Sequence, residues 1–370
     1  PELITVQGLT KDYRLTRRRE GVLGGLVDLV KPRKRTLRAV DDVSFTIDQG
    51  EMVGYIGANG AGKSTTIKML TGLLTPTAGE VRVGGLVPYR QRQSYTRHIG
   101  VVFGQRTQLW WDLAVIESFR LLQRIYEVPE DRYRRQMALF HDLLGLEEFL
   151  HQPVRKLSLG QRMRCDLAAA LLHEPRVLFL DEPTIGLDVV AKENVRGFLR
   201  EARDRLGVTV ILTTHDLGDI EQLCRRIIII DRGVVLYDGM LADLKQRLGH
   251  RVRLHLELRE AVVAGELARL TDPLPVRWAE REGNEQVAEF SRLEVTAAEV
   301  IQRVVSNQRV SDLHITEPDI EDVVRRIYRE GMTSAGINGA AAAGPTPAPS
   351  VTLTDAATSA ADTARDQTDD

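Results

Sequence analysis

Residues 51–66 read Glu-Met-Val-Gly-Tyr-Ile-Gly-Ala-Asn-Gly-Ala-Gly-Lys-Ser-Thr-Thr. An apolar run (Met52, Val53, Tyr55, Ile56) stops at Gly57, and Gly57-x-x-x-x-Gly62-Lys63-Ser64 follows. A helical pattern (Ile67, Met69, Leu70, Leu73) comes next. Strand, glycine loop and helix in that order predict a phosphate-binding loop. Gly57, Gly60 and Gly62 let the chain turn sharply, so that consecutive N–H groups face one oxyanion. The helix N-terminus adds its dipole and its unpaired donors. Lys63 brings a full positive charge for the β- and γ-phosphates. Ser64 brings a hydroxyl for Mg²⁺, a hard cation that prefers oxygen.

Two further strands end in polar residues. Val177-Leu178-Phe179-Leu180 runs into Asp181-Glu182, and Val208–Thr213 runs into Thr214-His215-Asp216. All-apolar strands point to a buried parallel sheet. Ligands of such sheets gather at the carboxyl ends of the strands. Gly57, Gln105, Asp181, Glu182 and His215 all follow apolar strands, so they are expected to converge. Beside a phosphate loop, Asp181 is placed to hold Mg²⁺ and Glu182 to take a proton from water.

With 370 residues the chain has room for two or three domains. Lys+Arg total 50 against Asp+Glu 52, a net charge of -2, so global charge gives no reason to expect a nucleic-acid partner. Two cysteines, Cys165 and Cys224, cannot build a disulfide framework; they read as small buried hydrophobes in a reducing compartment. The N-terminus shows no signal-peptide pattern. No apolar run approaches the about 20 residues that a membrane helix needs.

Around these motifs the chain alternates. Residues 2–15 read as a strand, and Val43–Ile47 and Met52–Ile56 as two more. Residues 14–38 hold nine Lys/Arg against two acids, Glu20 and Asp28, around an apolar stretch, Val22–Val30. This suits an interfacial segment at anionic lipid. A solvated loop packed on the domain or on a partner fits it as well. A nucleic-acid arm fits less well, because no aromatics interleave with the charges. Residues 110–150 switch to helical periodicity, an α-helical insertion in an α/β domain. Ser158 is a cap residue opening a helix over 158–174. Trp110 and Trp111 serve either as core of the helical part or as an exposed apolar platform. Residues 251–330 read as a small α+β unit, with helices over Ala261–Leu270, Ala297–Val305 and Ile320–Tyr328. From Thr333 onward the composition is that of a disordered tail.

Taken together, these motifs resemble the nucleotide-binding subunit of an ABC transporter over about residues 2–248. Gly57–Thr65 is similar to the Walker A loop and Val177–Glu182 to the Walker B strand. Leu157-Ser158-Leu159-Gly160-Gln161 resembles the signature Leu-Ser-Gly-Gly-Gln. Gln105 resembles the Q-loop residue, Ile185-Gly186-Leu187-Asp188 the D-loop, His215 the H-loop, and Tyr13 the aromatic that stacks on adenine.

The resemblance implies an ATP hydrolase of the P-loop α/β fold. Its parts are a parallel-sheet core, an antiparallel β subdomain and a helical subdomain over about 106–175. A small α+β domain at 249–330 and a disordered tail at 331–370 follow. It implies that Gly57, Asn59, Gly60, Ala61, Gly62, Lys63, Ser64, Thr65 and Thr66 cradle the phosphates of ATP, with Tyr13 holding the base. Ser64, Gln105 and Asp181 would serve Mg²⁺. Glu182, His215 and Gln105 form the catalytic set. Ser158, Gly160 and Gln161 would cap the γ-phosphate of a second subunit in a homodimer, with Asp188 linking the two sites. The extension ending in Pro318-Asp319-Ile320-Glu321-Asp322-Val323 resembles that of ATPases paired with ABC-2-type permeases. Those are mostly exporters of drugs, lipids, glycans or other amphiphiles, including viologen-exporter-like and multidrug members. The subunit would sit at the cytoplasmic face of the membrane, against a separate permease. The alternative is a soluble ABC ATPase acting on ribosomes or nucleic acid. One motif set and no long heptads argue against it.

One residue departs from the pattern. Leu159 stands where the family usually has glycine, and its backbone is less free than glycine's to approach phosphate. With every other element present, the site is expected to be competent.

Overall fold

The computed structural model describes residues 1–17, 33–104, 106–248, 251–279, 283–316, 320–325 and 327. Gln105, most of the basic insertion and the alanine-rich tail lie outside the described residues.

The core is a six-stranded sheet. Its strands are β3 (Met52–Gly57), β5 (Ile99–Phe103), β6 (Val177–Asp181), β7 (Thr209–Thr213), β8 (Arg226–Asp231) and β9 (Val234–Met240). They lie in the order β5-β6-β7-β3-β8-β9, all parallel except β9, which pairs antiparallel with β8. Successive side chains of a strand face opposite sides. Accordingly Met52 and Ile56 enter one core with Leu178, Leu180, Val210 and Leu212, while Val53 and Tyr55 enter the other with Phe179, Ile211 and Ile228. Burial on both faces explains why the central strands β3, β6 and β7 are largely apolar rather than alternating.

The first core packs under the helical elements: α3 (Val115–Ile125), α4 (Glu130–Leu144), α5 (Leu159–Leu171), α6 (Val189–Leu206) and α7 (Leu217–Leu223). The second holds α1 (Lys63–Leu70), with Tyr95 from the short α2 (Arg92–Thr96), against a three-stranded antiparallel sheet. That sheet orders β2 (Arg33–Asp48), β1 (Glu2–Arg17) and β4 (Ala78–Val83).

The first two strands are longer than the sequence suggests. β1 reaches Arg17 rather than ending at 15, and β2 begins at Arg33, ten residues before the apolar run at Val43. Their backbones stay paired out to Tyr13↔Leu37, Arg14↔Thr36 and Arg17↔Arg33. Hydrogen bonding along the ladder carries the pairing past the apolar residues that reveal it in sequence. Both flanks of the basic insertion are thus strand. The lipid-facing and loop readings of its centre fall outside the described residues.

After α8 (Leu241–Leu248) comes the small unit: β10 (Arg251–Leu258), α9 (Ala264–Thr271), β11 (Val276–Trp278), β12 (Glu285–Ser291), α10 (Ala297–Val305) and β13 (Val310–Thr316). Its sheet is antiparallel in the order β11-β12-β10-β13, a split βαβ arrangement with its own core around Leu254, Phe290 and Val300. The last helical stretch, 320–325 and 327, does not belong to that core. Ile320, Val323, Val324 and Ile327 recur at one-face spacing, and all four join the core that holds Leu241 and Leu244. The chain leaves the first domain, forms the second, and returns to the first.

Candidate active site

The glycine loop takes the form its composition predicts. β3 ends at Gly57 and α1 begins at Lys63, with Gly62 before it at φ 109°. A β-carbon on Gly62 would lie 2.5 Å from the Ala39 carbonyl oxygen, so both the dihedral and the space demand glycine there. The Lys63 ammonium donates to the carbonyls of Gly57 at 2.6 Å and Ala58 at 3.3 Å. Burial lowers its pKa, and the carboxylates of Glu182 and Asp181 push the other way.

Asn59, Ser64, Asp181, Glu182 and His215 line one open cleft of about 650 Å³. Of the strand-end residues expected to converge, Asp181, Glu182 and His215 share it, Gly57 is not among its walls, and Gln105 lies outside the described residues. Asp181 ends β6 and Glu182 follows it; β6 is separated from β3 by β7. Thr213, ending β7, donates its hydroxyl to Asp181 Oδ1 at 2.5 Å, and its carbonyl accepts the Glu182 N–H at 2.9 Å. Glu182 sits in the left-handed region at φ 58°, rare for a residue with a side chain. Its Oε2 lies 2.5 Å from His215 Nδ1. A carboxylate held against an imidazole can accept a proton while the ring orients it.

Other expected residues take different places. Thr66 is a correction: it is fully buried, accepting from the Tyr55 hydroxyl at 3.2 Å and donating to the Gly62 carbonyl at 3.2 Å. It fastens the first turn of α1 to β3 rather than facing the cleft. Ala61 is buried too, in the second core. Thr65 is half-buried beside exposed Ser64. Tyr13 lies on β1 with the Lys11 ammonium 5.6 Å from its ring centre, outside the walls of the cleft.

Ser158, Gly160 and Gln161 also lie outside those walls. Ser158 caps α5 in a reciprocal box: Gln161 N–H donates to Ser158 Oγ at 3.2 Å, and Ser158 N–H donates to Gln161 Oε1 at 2.9 Å. Asp188 caps α6 without a reciprocal bond, accepting from Ala191 N–H at 2.8 Å.

Sequence reasoning missed several parts of the site. Arg106 lines the cleft, and an arginine following a loop glutamine in sequence was the signal available. Gly104 and Asp219 gave none. Asp219, on α7, is fully buried. It accepts from Thr184, two residues after Glu182, and from Arg196 on α6 at 2.7 Å. It also lies 3.4 Å from the hydroxyl of Thr214, the residue before His215. One carboxylate thus ties the segments bearing Glu182 and His215 to the helix that Asp188 begins. Asp219→Ala would remove the buried partner of the largely buried Arg196 guanidinium, leaving only exposed Glu193 at 3.7 Å, and should cost about 3–5 kcal/mol in urea unfolding. A loss under about 1 kcal/mol would show that the pair is not structural in this sense.

Helix α5 makes a similar tie to the segment after Gln105. Buried Asp166 accepts from Thr107 Oγ1 at 2.8 Å and Gln108 N–H at 3.0 Å, and burial pushes its pKa up to about 6. Both cysteines are buried, with their thiol pKa values raised by burial. Of the two roles open for the tryptophans, core packing fails. Trp110 is 39% exposed and Trp111 51%, in the same helical subdomain as Ile125 at 59%.

Strand, glycine loop and helix, with two carboxylates at the end of a parallel strand one place removed, define a P-loop nucleoside-triphosphatase. Among the described residues no helix is long and apolar enough to cross a membrane. A family model described as ABC transporter matches residues 40–185. The chain is 38% identical to the daunorubicin/doxorubicin resistance ATP-binding protein DrrA of Streptomyces peucetius, over 63% of this chain and 70% of that one. It is 31% identical to the methionine import ATP-binding protein MetN of Carboxydothermus hydrogenoformans, over 70% of this chain and 81% of that one. Among solved structures it matches a dimeric ATP-binding cassette in a post-hydrolysis state bound to ADP and Pi, with TM-score 0.53 and 27% identity over 64% of this chain and 98% of that one. The chain therefore belongs to the ABC transporter family as an ATP-binding subunit, and it is an ATP hydrolase.

Proposed function

We propose that this subunit works as a dimer with a second copy of itself, on the cytoplasmic face of a membrane, and drives a separate permease that exports an amphiphile. The observation that carries the reading is the exposed apolar surface of the helical subdomain: Trp110, Trp111, Leu113, Leu121 and Ile125. Exposed large aromatics and aliphatics mark interaction surfaces. Export is favoured over import because identity to the resistance protein, 38%, exceeds the 31% to the import protein.

In this reading the loop amides of 57–62, Lys63 and Thr65 receive the phosphates, and Tyr13 takes the base. Ser64, Asp181 and Gln105 offer oxygen donors that fit Mg²⁺, and Ser64 and Asp181 share the cleft. Bound there, Mg²⁺ would neutralise charge on the β- and γ-phosphates. Glu182 takes the proton of the attacking water, with His215 beside it steadying the carboxylate and reaching toward the γ-phosphate. Ser158, Gly160 and Gln161 lie outside the cleft of their own chain. They would close over the γ-phosphate of the partner copy, bringing the positive end of α5 to it. Phosphoryl transfer to water depends mostly on positioning and charge, so closure of the dimer switches it on.

Affinity purification of the tagged chain from detergent-solubilised membranes tests the proposal. A membrane protein with several spans should co-purify in stoichiometric amount. Trp110→Ala with Trp111→Ala should remove it while leaving ATP binding intact. Recovery of ribosomes or nucleic acid in its place would overturn the reading.

A further inference from the structure

The departure at Leu159 has a structural counterpart. Leu159 is the first residue of α5, and its φ is not among the positive values of the described residues, so nothing in the backbone requires glycine there. Its side chain runs toward the loop that precedes α6. Leu159 Cδ2 lies 3.1 Å from the point that a β-carbon on Gly186 would occupy. Gly186 sits at φ +71°, so glycine at 186 serves both the turn and the leucine. One residue on, the pairing is reversed: a β-carbon on Gly160 would lie 3.0 Å from Ala191 Cβ. The start of α5 therefore interlocks with the loop before α6 and with the first turn of α6 through two side-chain-against-glycine contacts, leucine on Gly186 and alanine on Gly160. Leu159 also packs on the core that contains Leu187.

We propose that Leu159 is a positioning residue: it fastens the signature segment 158–161 to the loop 185–188 of the same chain, so that the two move as one body. The inference rests on the dimeric reading above. In that reading both segments face the partner copy, one over its ATP and the other between the two sites. Close-packed contacts transmit displacement because interiors yield little. A chain whose signature and inter-site loop are fastened together passes ATP occupancy of one site to the other. Glycine at 159 would leave the two free to move separately.

The test uses the full chain with Leu159→Gly and Leu159→Met. The parent should hydrolyse ATP with a Hill coefficient between about 1 and 2, the limit for two sites. Leu159→Gly should bring it to about 1 and lower kcat several-fold, with unchanged affinity of the dilute, monomeric chain for ATP. Leu159→Met, which keeps a long apolar side chain, should retain the parent values. A side chain that merely fills space would change the melting temperature and leave the Hill coefficient alone; that result overturns the inference. Dimerisation is scored separately in a Glu182→Gln background. If that background forms no ATP-dependent dimer, the dimeric reading falls and the inference with it. If it dimerises while Leu159→Gly keeps the parent's cooperativity, the role of Leu159 alone is refuted.

Discussion

Glu182→Gln should lower ATP turnover by about 10²–10⁴-fold while leaving nucleotide binding intact. The amide has the carboxylate's length and shape, so it can keep the contact with His215 Nδ1, now 2.5 Å from Oε2. What it loses is the capacity to take a proton from water. The backbone at this position is set by its neighbours: the Glu182 N–H is bonded to the Thr213 carbonyl at 2.9 Å, and φ is 58°. Glutamine inherits that geometry, so the variant separates chemistry from folding. With hydrolysis blocked, the ATP-bound dimer should accumulate and elute at twice the monomer mass when ATP is present. Phosphate release at the parent's rate would show that Glu182 is not the base.

Gly104→Ala should damage the same site from behind. A β-carbon there would stand 1.9 Å from the Glu182 carbonyl oxygen and 2.8 Å from its carbon. The obstruction is backbone rather than a flexible side chain, so β5 or the Glu182 peptide must shift. Overpacking of this kind costs about 1–3 kcal/mol. The catalytic loss is expected to be larger in proportion, because a displacement of about 1 Å at a reacting group costs on the order of 100-fold in rate. The Gly104 N–H also donates to the Asp181 carbonyl at 2.8 Å, so the shift would reach both carboxylate residues. The measurement pairs urea unfolding with steady-state kcat. A variant with parental kcat would show that the Glu182 peptide can relax without moving its side chain.

The two variants mark what sequence could and could not reveal. Glu182's place in the cleft was readable because it follows from local order: an apolar strand, then acids, beside a glycine loop. The same holds for Gly57–Thr65, for Ser158 as a cap and for His215 after its strand. Periodicity and capping are short-range properties, and the residues that express them are neighbours in the chain. Gly104 carried no such signal. Its importance comes from Glu182, 78 positions later, whose peptide passes against it because β5 and β6 pair in register Phe103↔Asp181.

Thr66 shows the converse. Its place in the phosphate-loop pattern suggested a ligand contact, yet it sits one residue too far round the helix and turns into the core under Tyr55. The last described helical stretch, 320–325 and 327, likewise read as part of the small unit beside it in sequence. Its apolar face matches the larger core, and burial of apolar surface favours that site wherever the chain can reach it.

By itself, then, the sequence determined the glycine loop, the strand-end acids, the parallel core and the class of chemistry. Each is written in spacing that local backbone geometry must obey. The tertiary structure alone decided which carboxylate ties the catalytic segments together, what Gly104 must avoid, where the last helix docks, and that Leu159 leans on Gly186. Those outcomes depend on contacts between residues far apart in the chain, and close packing, not local propensity, selects them.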